Sequence, residues 1–377
     1  MDKAKRIAYI SMYNSDKNDG VVKKILNQIK TFNNSGFEVD YFFARRRCFY
    51  VHSEKDVLLG KSKRIKSIDF CKYMIKYMKP EQYDCVYVRH TGRIDPWLLR
   101  VLKLLHNSGA IILYEFPTFP YEQLRFTKMG KIDQAIDYIF RRYLRLYVDR
   151  TITMTGHDEI LNIPNIYILN GICVDDIKPI SSTEDNGTID LLAVACFYSY
   201  HGYDRIISSL SRYYHQGGNK EIKLHMVGEG PASEELKQHA KEYDVEDKVI
   251  FYGFKTGEEL DEIYEKADIA LGSLALYRIN IDISSNLKIR EYLAKGLPII
   301  SGCKEDAFDY KSEYKYYLQV LNDSSDIEMK TIIDFYARVY DDKLSRARIR
   351  EEIRSYAKEK VDMMNTMKPI VEYYNSV

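Results

Sequence analysis

The chain has 377 residues, 45% of them hydrophobic and 29% charged, with a formal net charge of +1. Such usage excludes a disordered chain, and the length asks for two cores rather than one. The small total hides an asymmetry: residues 1–180 carry 30 Lys and Arg against 20 Asp and Glu, whereas residues 181–377 carry 26 against 35.

A basic half offset by an acidic half, with no known reader motif, speaks against nucleic-acid binding. Six scattered cysteines (Cys48, Cys71, Cys85, Cys173, Cys196, Cys303) form no Cys-x-x-Cys pair, which argues against a zinc site and a disulfide framework and for reduced thiols. No run of about 18 apolar residues occurs, and MDKAKRIAYIS passes directly into a short strand rather than a signal peptide. The expectation is a cytoplasmic protein. The 33 tyrosines read as half-buried rings along the surface and decide nothing about function.

In chain order, Arg6–Ser11 reads as a strand, Val21–Asn33 as a helix and Glu38–Phe43 as a second strand. Cys85–Arg89, Ala110–Tyr114 and Arg150–Met154 continue the series. Between the first strand and helix, the loop Asn14–Gly20 brings a glycine to a helix start, where a ligand can approach closely. Without a GxGxxG pattern, Gly20 reads equally as an ordinary loop glycine. Arg89-His90 ends one strand, and Glu115 opens the loop Glu115-Phe-Pro-Thr-Phe-Pro-Tyr121, which two prolines hold extended. Lys61–Lys79 and Leu124–Arg150 interleave Lys and Arg with apolar residues. The second reads as a basic amphipathic helix with Arg141, Arg142 and Arg145 clustered, a pattern that fits either a solvated face or an anionic membrane surface.

A second strand series follows at Leu191–Cys196, Ile222–Val227, Lys248–Tyr252, Ile269–Gly272 and Pro298–Ser301, after the polar stretch Ser181–Thr188, which has linker chemistry. Alternation throughout implies an α/β chain of two doubly wound domains, residues 1–180 and 189–355. A final helical segment, 356–377, is expected to cross back onto the first domain. Gly228-Glu-Gly230-Pro ends one strand with a tight turn, and Gly253-Phe254 ends the next; each serves equally as punctuation or as a side-chain-free cleft floor.

Ser284–Ile300, SSNLKIREYLAKGLPII, is the most informative stretch. It reads as a polar loop, an amphipathic helix bearing Lys288 and Glu291 at its start, and a Lys-Gly-Leu-Pro turn into an apolar strand. Unpaired N–H groups at the positive end of a helix, reached over small residues, suit a phosphate, and Lys288 adds a point charge. A carboxylate one turn in, Glu291, suits the hydroxyls of a ribose. The same residues also fit a solvated helix, so the rest of the chain has to decide.

The order of motifs resembles retaining glycosyltransferases of the GT-B fold, family 4, also called glycosyl transferases group 1. The matching pieces are Phe197-Tyr-Ser-Tyr-His201-Gly202-Tyr203-Asp204, then Gly-Glu-Gly-Pro, Tyr-Gly-Phe and Ser-Asn-Leu-Lys-x-x-Glu, together with Asn170-Gly171-Ile172 before the linker. The resemblance implies two Rossmann-like domains facing across a cleft, with donor contacts from Ser285, Asn286, Leu287 and Lys288, ribose contacts from Glu291, Phe254 beside the base and Gly20 beneath the diphosphate. It implies no cofactor other than the nucleotide diphosphate sugar itself, and a sugar or lipid-linked acceptor, with Glu115 on the acceptor side. Where the family has an Arg and a Lys after the first strand of this domain, this chain has Ala195 or Cys196 and His201, and Arg278 is a nearby cation that could replace the lost Arg. The first Glu of the family's Glu-x7-Glu pair falls on Ile283, with Asp282 one position away. No Asp-x-Asp marks a metal site, so metal-independent transfer is expected. Two rivals stay open: a nucleotide-sugar 2-epimerase of the same fold, and a non-catalytic partner subunit that has kept the fold.

Overall fold

Short β-branched strands alternating with amphipathic helices build two large sheets and one two-stranded sheet in the computed structural model, which describes residues 4–14, 20–63, 67–90, 92–119, 128–308, 313–341 and 343–377. Two compact units result: residues 1–169 with 366–377, and residues 170–365. The division falls earlier than the 180/189 boundary read from composition, and only the last dozen residues, rather than 356–377, join the first unit. Ser181 and Ser182 explain the misreading. Their N–H groups bind the Glu265 carboxylate at 3.0 and 2.7 Å, which fastens the supposed linker to the second unit.

The first unit contains β1 (Arg6–Asn14), α1 (Gly20–Asn34), β2 (Glu38–Arg45), β3 (Cys48–His52), β4 (Asp56–Lys61), α2 (Ser67–Tyr77), β5 (Cys85–Arg89), α3 (Pro96–Asn107), β6 (Ile111–Glu115), α4 (Lys128–Phe140), β7 (Arg150–Thr153), β8 (Glu159–Ile160) and β9 (Ile163–Tyr167). Its nine strands run in the order β4-β3-β2-β1-β5-β6-β7-β9-β8. The central pairings from β2 to β9 are parallel, and β3, β4 and β8 add antiparallel edges. The β3–β4 hairpin was not foreseen.

The second unit contains β10 (Ile189–Val194), α5 (Tyr203–His215), β11 (Ile222–Val227), α6 (Ser233–Glu242), β12 (Val249–Gly253), α7 (Gly257–Tyr264), β13 (Ile269–Leu271), β14 (Ile283–Ser284), α8 (Leu287–Lys295), β15 (Ile299–Ser301), β16 (Lys304–Glu305), β17 (Tyr317–Gln319), α9 (Met329–Val339) and α10 (Arg346–Lys360). Six parallel strands in the order β12-β11-β10-β13-β15-β17 form a doubly wound sheet whose order reverses between β10 and β13. A crevice at that reversal, beyond the carboxyl ends of the strands, is where such sheets take ligands.

The terminal segment is not one continuous helix. Ile172 inserts its backbone after α10, donating to the Val361 carbonyl at 3.0 Å and accepting from the Met363 N–H at 2.7 Å. The chain then continues as α11 (Met363–Thr366) and α12 (Lys368–Ser376).

Most of the described tyrosines are half-buried or exposed, as expected, but a minority are core residues. Tyr9, Tyr87, Tyr114, Tyr203, Tyr264, Tyr292 and Tyr374 are among the largest fully buried side chains. Most find a partner for the hydroxyl, as a buried phenol must to avoid the cost of an unmade bond. Tyr374 of α12 donates to the Val86 carbonyl at 2.6 Å, and its ring packs against Phe32 and Phe37.

Candidate functional site

The site in the second unit is built from three loops at the carboxyl edge of its sheet. After β10, residues Ala195–Tyr198 lead into a tight turn, Ser199–His201, closed by Gly202 in a left-handed conformation (φ 71°). After β13, Ser273–Ala275 runs against that turn. A Cβ on Gly202 would lie 2.5 Å from the Ala275 Cβ, and Leu274 N–H donates to the His201 carbonyl at 2.7 Å. Glycine is required here by both φ and contact.

The third loop, Ser284–Asn286, leads into α8. Asn286 occupies the N-cap position with extended backbone, yet its side chain makes no capping bond among the described residues, and the first turn has no acidic residue. Instead the second helical position is Lys288. A cation at the positive end of the dipole is the reverse of the usual arrangement, and it makes this helix start a place where an anion is stabilised. The helix is held there by Tyr292, whose hydroxyl accepts from Val194 N–H at 2.8 Å at the end of β10, beside the sheet reversal.

Lys288 is half-buried, and its Nζ donates to the Tyr203 hydroxyl at 3.2 Å. Removal from water pushes its pKa down to about 8, although the charges of Glu305 and Cys303 work in the other direction. His201, on the neighbouring turn, is pushed down to about 3 by burial and then by the Lys288 charge. It is therefore neutral at physiological pH. Its Nδ1 accepts from Tyr198 N–H at 3.4 Å, which leaves Nε2 as the N–H donor. Behind Lys288, the fully buried Glu305 accepts from Ser301 Oγ at 2.8 Å, while its Oε2 has no hydrogen-bond partner among the described residues. Burial raises the Glu305 carboxyl above its ordinary range, against the pull of Arg290, Ser301 and Lys288.

Arg290 fixes the loop from inside. It is fully buried, paired with Asp306, and donates to the Asn170 carbonyl at 2.9 Å and the Asn286 carbonyl at 3.2 Å. Asn170 Nδ2 in turn donates to the Ser285 carbonyl at 2.8 Å. The Asn-Gly-Ile motif thus braces the loop that precedes α8.

Among the residues singled out from sequence, Ser285, Asn286, Leu287, Lys288 and Glu291 share one loop and helix start, and His201 joins Lys288 through the Tyr203 ring. Gly228 and Gly230 have a packing duty. Cβ atoms there would come within 1.9 Å of the Ala195 carbonyl oxygen and 2.4 Å of the Phe197 backbone. Phe254 follows Gly253 at the end of β12 and is 73% exposed. Arg278 is already committed: its guanidinium grips Asp204 at 2.6 and 2.9 Å and the Ser199 carbonyl at 2.6 Å. The cation expected there as a replacement for the lost Arg also ties down the His201 turn. Asp282 is exposed on the approach to β14, where its carbonyl accepts from Lys304 N–H at 3.0 Å.

Gly20 and Glu115 belong to the first unit. Gly20 is the exposed first residue of α1, and residues 15–19 of its loop lie outside the described residues. Glu115 has no exposure at all. Its carboxylate pairs with Arg89 and, at 3.8 Å, with Lys24, and accepts from the Tyr87 hydroxyl at 2.8 Å and Gln28 at 3.2 Å. The acceptor-side group expected from sequence is thus a core ion pair, because α1 covers the end of β6. The rest of its proline loop, from residue 120, also lies outside the described residues.

Tyr203, Glu305, Ser301 and Asp306 escaped the sequence reading. Only the Phe-Tyr-Ser-Tyr-His-Gly-Tyr run offered a signal, for Tyr203. Among the described residues no group of three or more His, Cys, Asp or Glu side chains could hold a metal ion.

Residues 175–302 match the family model described as "Glycosyl transferases group 1". No curated protein sequence matches the chain. Several solved structures share the fold over nearly its whole length. The sucrose-phosphate synthase of Thermosynechococcus elongatus aligns with TM-score 0.66 at 13% identity, covering 99% of this chain and 98% of that one. The lipopolysaccharide outer core galactosyltransferase WaaB gives 0.60 at 15% identity (99% and 100%). HepE of Anabaena, in complex with UDP and glucose, gives 0.58 at 12% identity (99% and 100%). The architecture is GT-B.

Proposed function

We propose that this protein, whose residues 175–302 match the model of the group 1 glycosyl transferases, transfers a sugar from a nucleoside-diphosphate sugar to an acceptor hydroxyl. In this reading the anomeric configuration is retained, no metal ion takes part, and the product is a surface polysaccharide or glycolipid. The observation that carries the reading is the start of α8, with no capping bond from Asn286 among the described residues, free of acidic residues in its first turn and bearing a partly desolvated lysine.

In such a reaction the bond from the anomeric carbon to the diphosphate breaks as the acceptor oxygen bonds to that carbon. Charge grows on the leaving diphosphate. N–H groups of the first turn of α8, the Lys288 ammonium and the neutral His201 Nε2–H can meet that charge together, and preorganised donors of this kind are worth about 3–4 kcal/mol at the transition state. The acceptor proton passes to the departing phosphate, so no carboxylate need serve as base. Glu291 takes the ribose hydroxyls, and Phe254 flanks the base. Support for the diphosphate comes also from HepE, a protein of this fold that holds UDP and glucose.

Titration calorimetry with UDP, GDP and ADP, each with EDTA and with magnesium, tests the reading. One nucleoside diphosphate is expected to bind equally well in both conditions. Binding of none of them, or only with magnesium, would overturn it.

A further inference from the structure

The turn that ends β11, Gly228-Glu229-Gly230, is pinned on both sides of its middle residue. Gly228 holds φ 123° against the Ala195 carbonyl oxygen, and a Cβ on Gly230 would come within 2.4 Å of the Phe197 backbone. Contact demands glycine at each, so Glu229 is set at a fixed place on the carboxyl edge of the sheet. The neighbouring strand end is tied to the same turn, because Gly228 N–H donates to the Gly253 carbonyl at 2.8 Å. Gly253 is itself left-handed (φ 69°), and a Cβ built there would lie 3.3 Å from Glu229 Oε1. The carboxylate thus lies against the residue that precedes the exposed Phe254.

Packing accounts for the glycines and leaves Glu229 without a duty. It is exposed and makes no hydrogen bond or ion pair with another described residue. Lys237 is held in its charged form first by Glu234, at 2.7 Å, and only more weakly by the charge of Glu229.

Two acceptor oxygens side by side, next to an exposed aromatic ring, suit a planar heterocycle that carries two adjacent N–H donors. The bases differ on this point. Guanine sets N1–H beside its N2 amino group. Uracil has one N–H between two carbonyl oxygens, which a carboxylate repels, and adenine and cytosine each place a ring acceptor nitrogen beside the amino group. A site that accepts from two donors rejects an analogue lacking one of them, since a polar group is then left unpaired.

Resting on the reading of this sheet edge as a nucleotide site, we infer that Glu229 selects guanine, its carboxylate accepting from N1–H and the N2 amino group while the base lies against Phe254, so that the donor is a GDP-sugar. HepE holds UDP, but at 12% identity the likeness extends to the fold and not to the base.

The experiment is titration calorimetry of the full chain with GDP, IDP, UDP and ADP, IDP being the analogue that keeps N1–H and lacks the amino group. GDP is expected to bind roughly tenfold more tightly than IDP, and by at least that factor over UDP and ADP. Glu229→Gln presents an amide N–H where the amino group needs an acceptor. It should bind GDP roughly tenfold more weakly, lose the preference for GDP over IDP and keep its affinity for UDP within about twofold, with circular dichroism unchanged. The wild-type order of the four nucleotides tests the inference without any variant. UDP or ADP bound as tightly as GDP would overturn it and leave the transfer reading standing, and a preference for GDP that persists in Glu229→Gln would overturn the role of Glu229. Binding of no nucleoside diphosphate would overturn both readings together.

Discussion

Replacing Lys288 with methionine keeps the stem of the side chain and removes the charge. The depression of its pKa from the ordinary 10.5 to about 8 corresponds to about 3 kcal/mol of desolvation cost carried by the folded protein at neutral pH. Water still reaches this half-buried side chain, and the hydrogen bond to Tyr203 offsets about 1 kcal/mol, so the variant should gain about 1–2 kcal/mol in urea unfolding at pH 7. Between about pH 8 and 10.5 the unfolded chain holds a proton at this position that the folded one has released. Wild-type stability therefore rises with pH across that window, and the variant should lack the rise. Ligand affinity moves oppositely. A charge-assisted contact to a diphosphate is worth about 1.5–3 kcal/mol, so calorimetry should find the cognate nucleoside diphosphate bound roughly tenfold to a hundredfold more weakly by the variant. Wild-type affinity should fall as pH rises through 8, and His201, already neutral at 6.5, should add no protonation of its own there. A Lys288→Met protein that is less stable than wild type, or that keeps wild-type affinity and its pH slope, would refute the argument.

Tyr203→Phe removes the hydroxyl that receives the Lys288 Nζ, and should weaken nucleotide binding by roughly fivefold to tenfold in calorimetry while the wild-type fold persists by circular dichroism. Glu115→Gln leaves Arg89 and Lys24 buried without their carboxylate and should cost about 3–5 kcal/mol in chemical denaturation. Burial pushes the Glu115 carboxyl up, but Arg89, Lys24 and its hydrogen bonds hold it below the ordinary value. Its stabilisation is accordingly complete above the unfolded carboxyl pKa and is lost as pH falls through the lower folded one, a dependence that acid titration of the variant should not show. Gly228→Ala must place a methyl into the Ala195 carbonyl at φ 123°, and a loss of at least about 2 kcal/mol with a lowered Tm is expected.

What could be read from sequence was whatever is local. The α8 segment carries its loop, helix start and terminating glycine in one stretch, so its anion-binding character was legible, as was the alternation that yields two doubly wound sheets. Residues brought in by crossovers were not. Asp306 reaches Arg290, and Glu305 comes up behind Lys288, from a strand that follows the next turn, and no spacing rule joins them. Glu115 misled for a related reason. Strand periodicity places a polar residue at an edge without revealing that Lys24 and Gln28 of α1 will close over it. Arg278 was noticed as a cation, but its bidentate partner Asp204 could be assigned only once two turns had been folded against each other.

The contribution of Tyr374 to the core around Phe32, Phe37 and Val86 imposes an order on biosynthesis. A ribosome that has emitted residues 170–365 has released everything the second unit needs, whereas the first unit, begun earlier, still lacks the piece that plugs it. The half made first is thus finished last. Until α12 emerges, the nascent chain carries an open aromatic socket, and a stop codon anywhere before Lys368 leaves that socket without its plug.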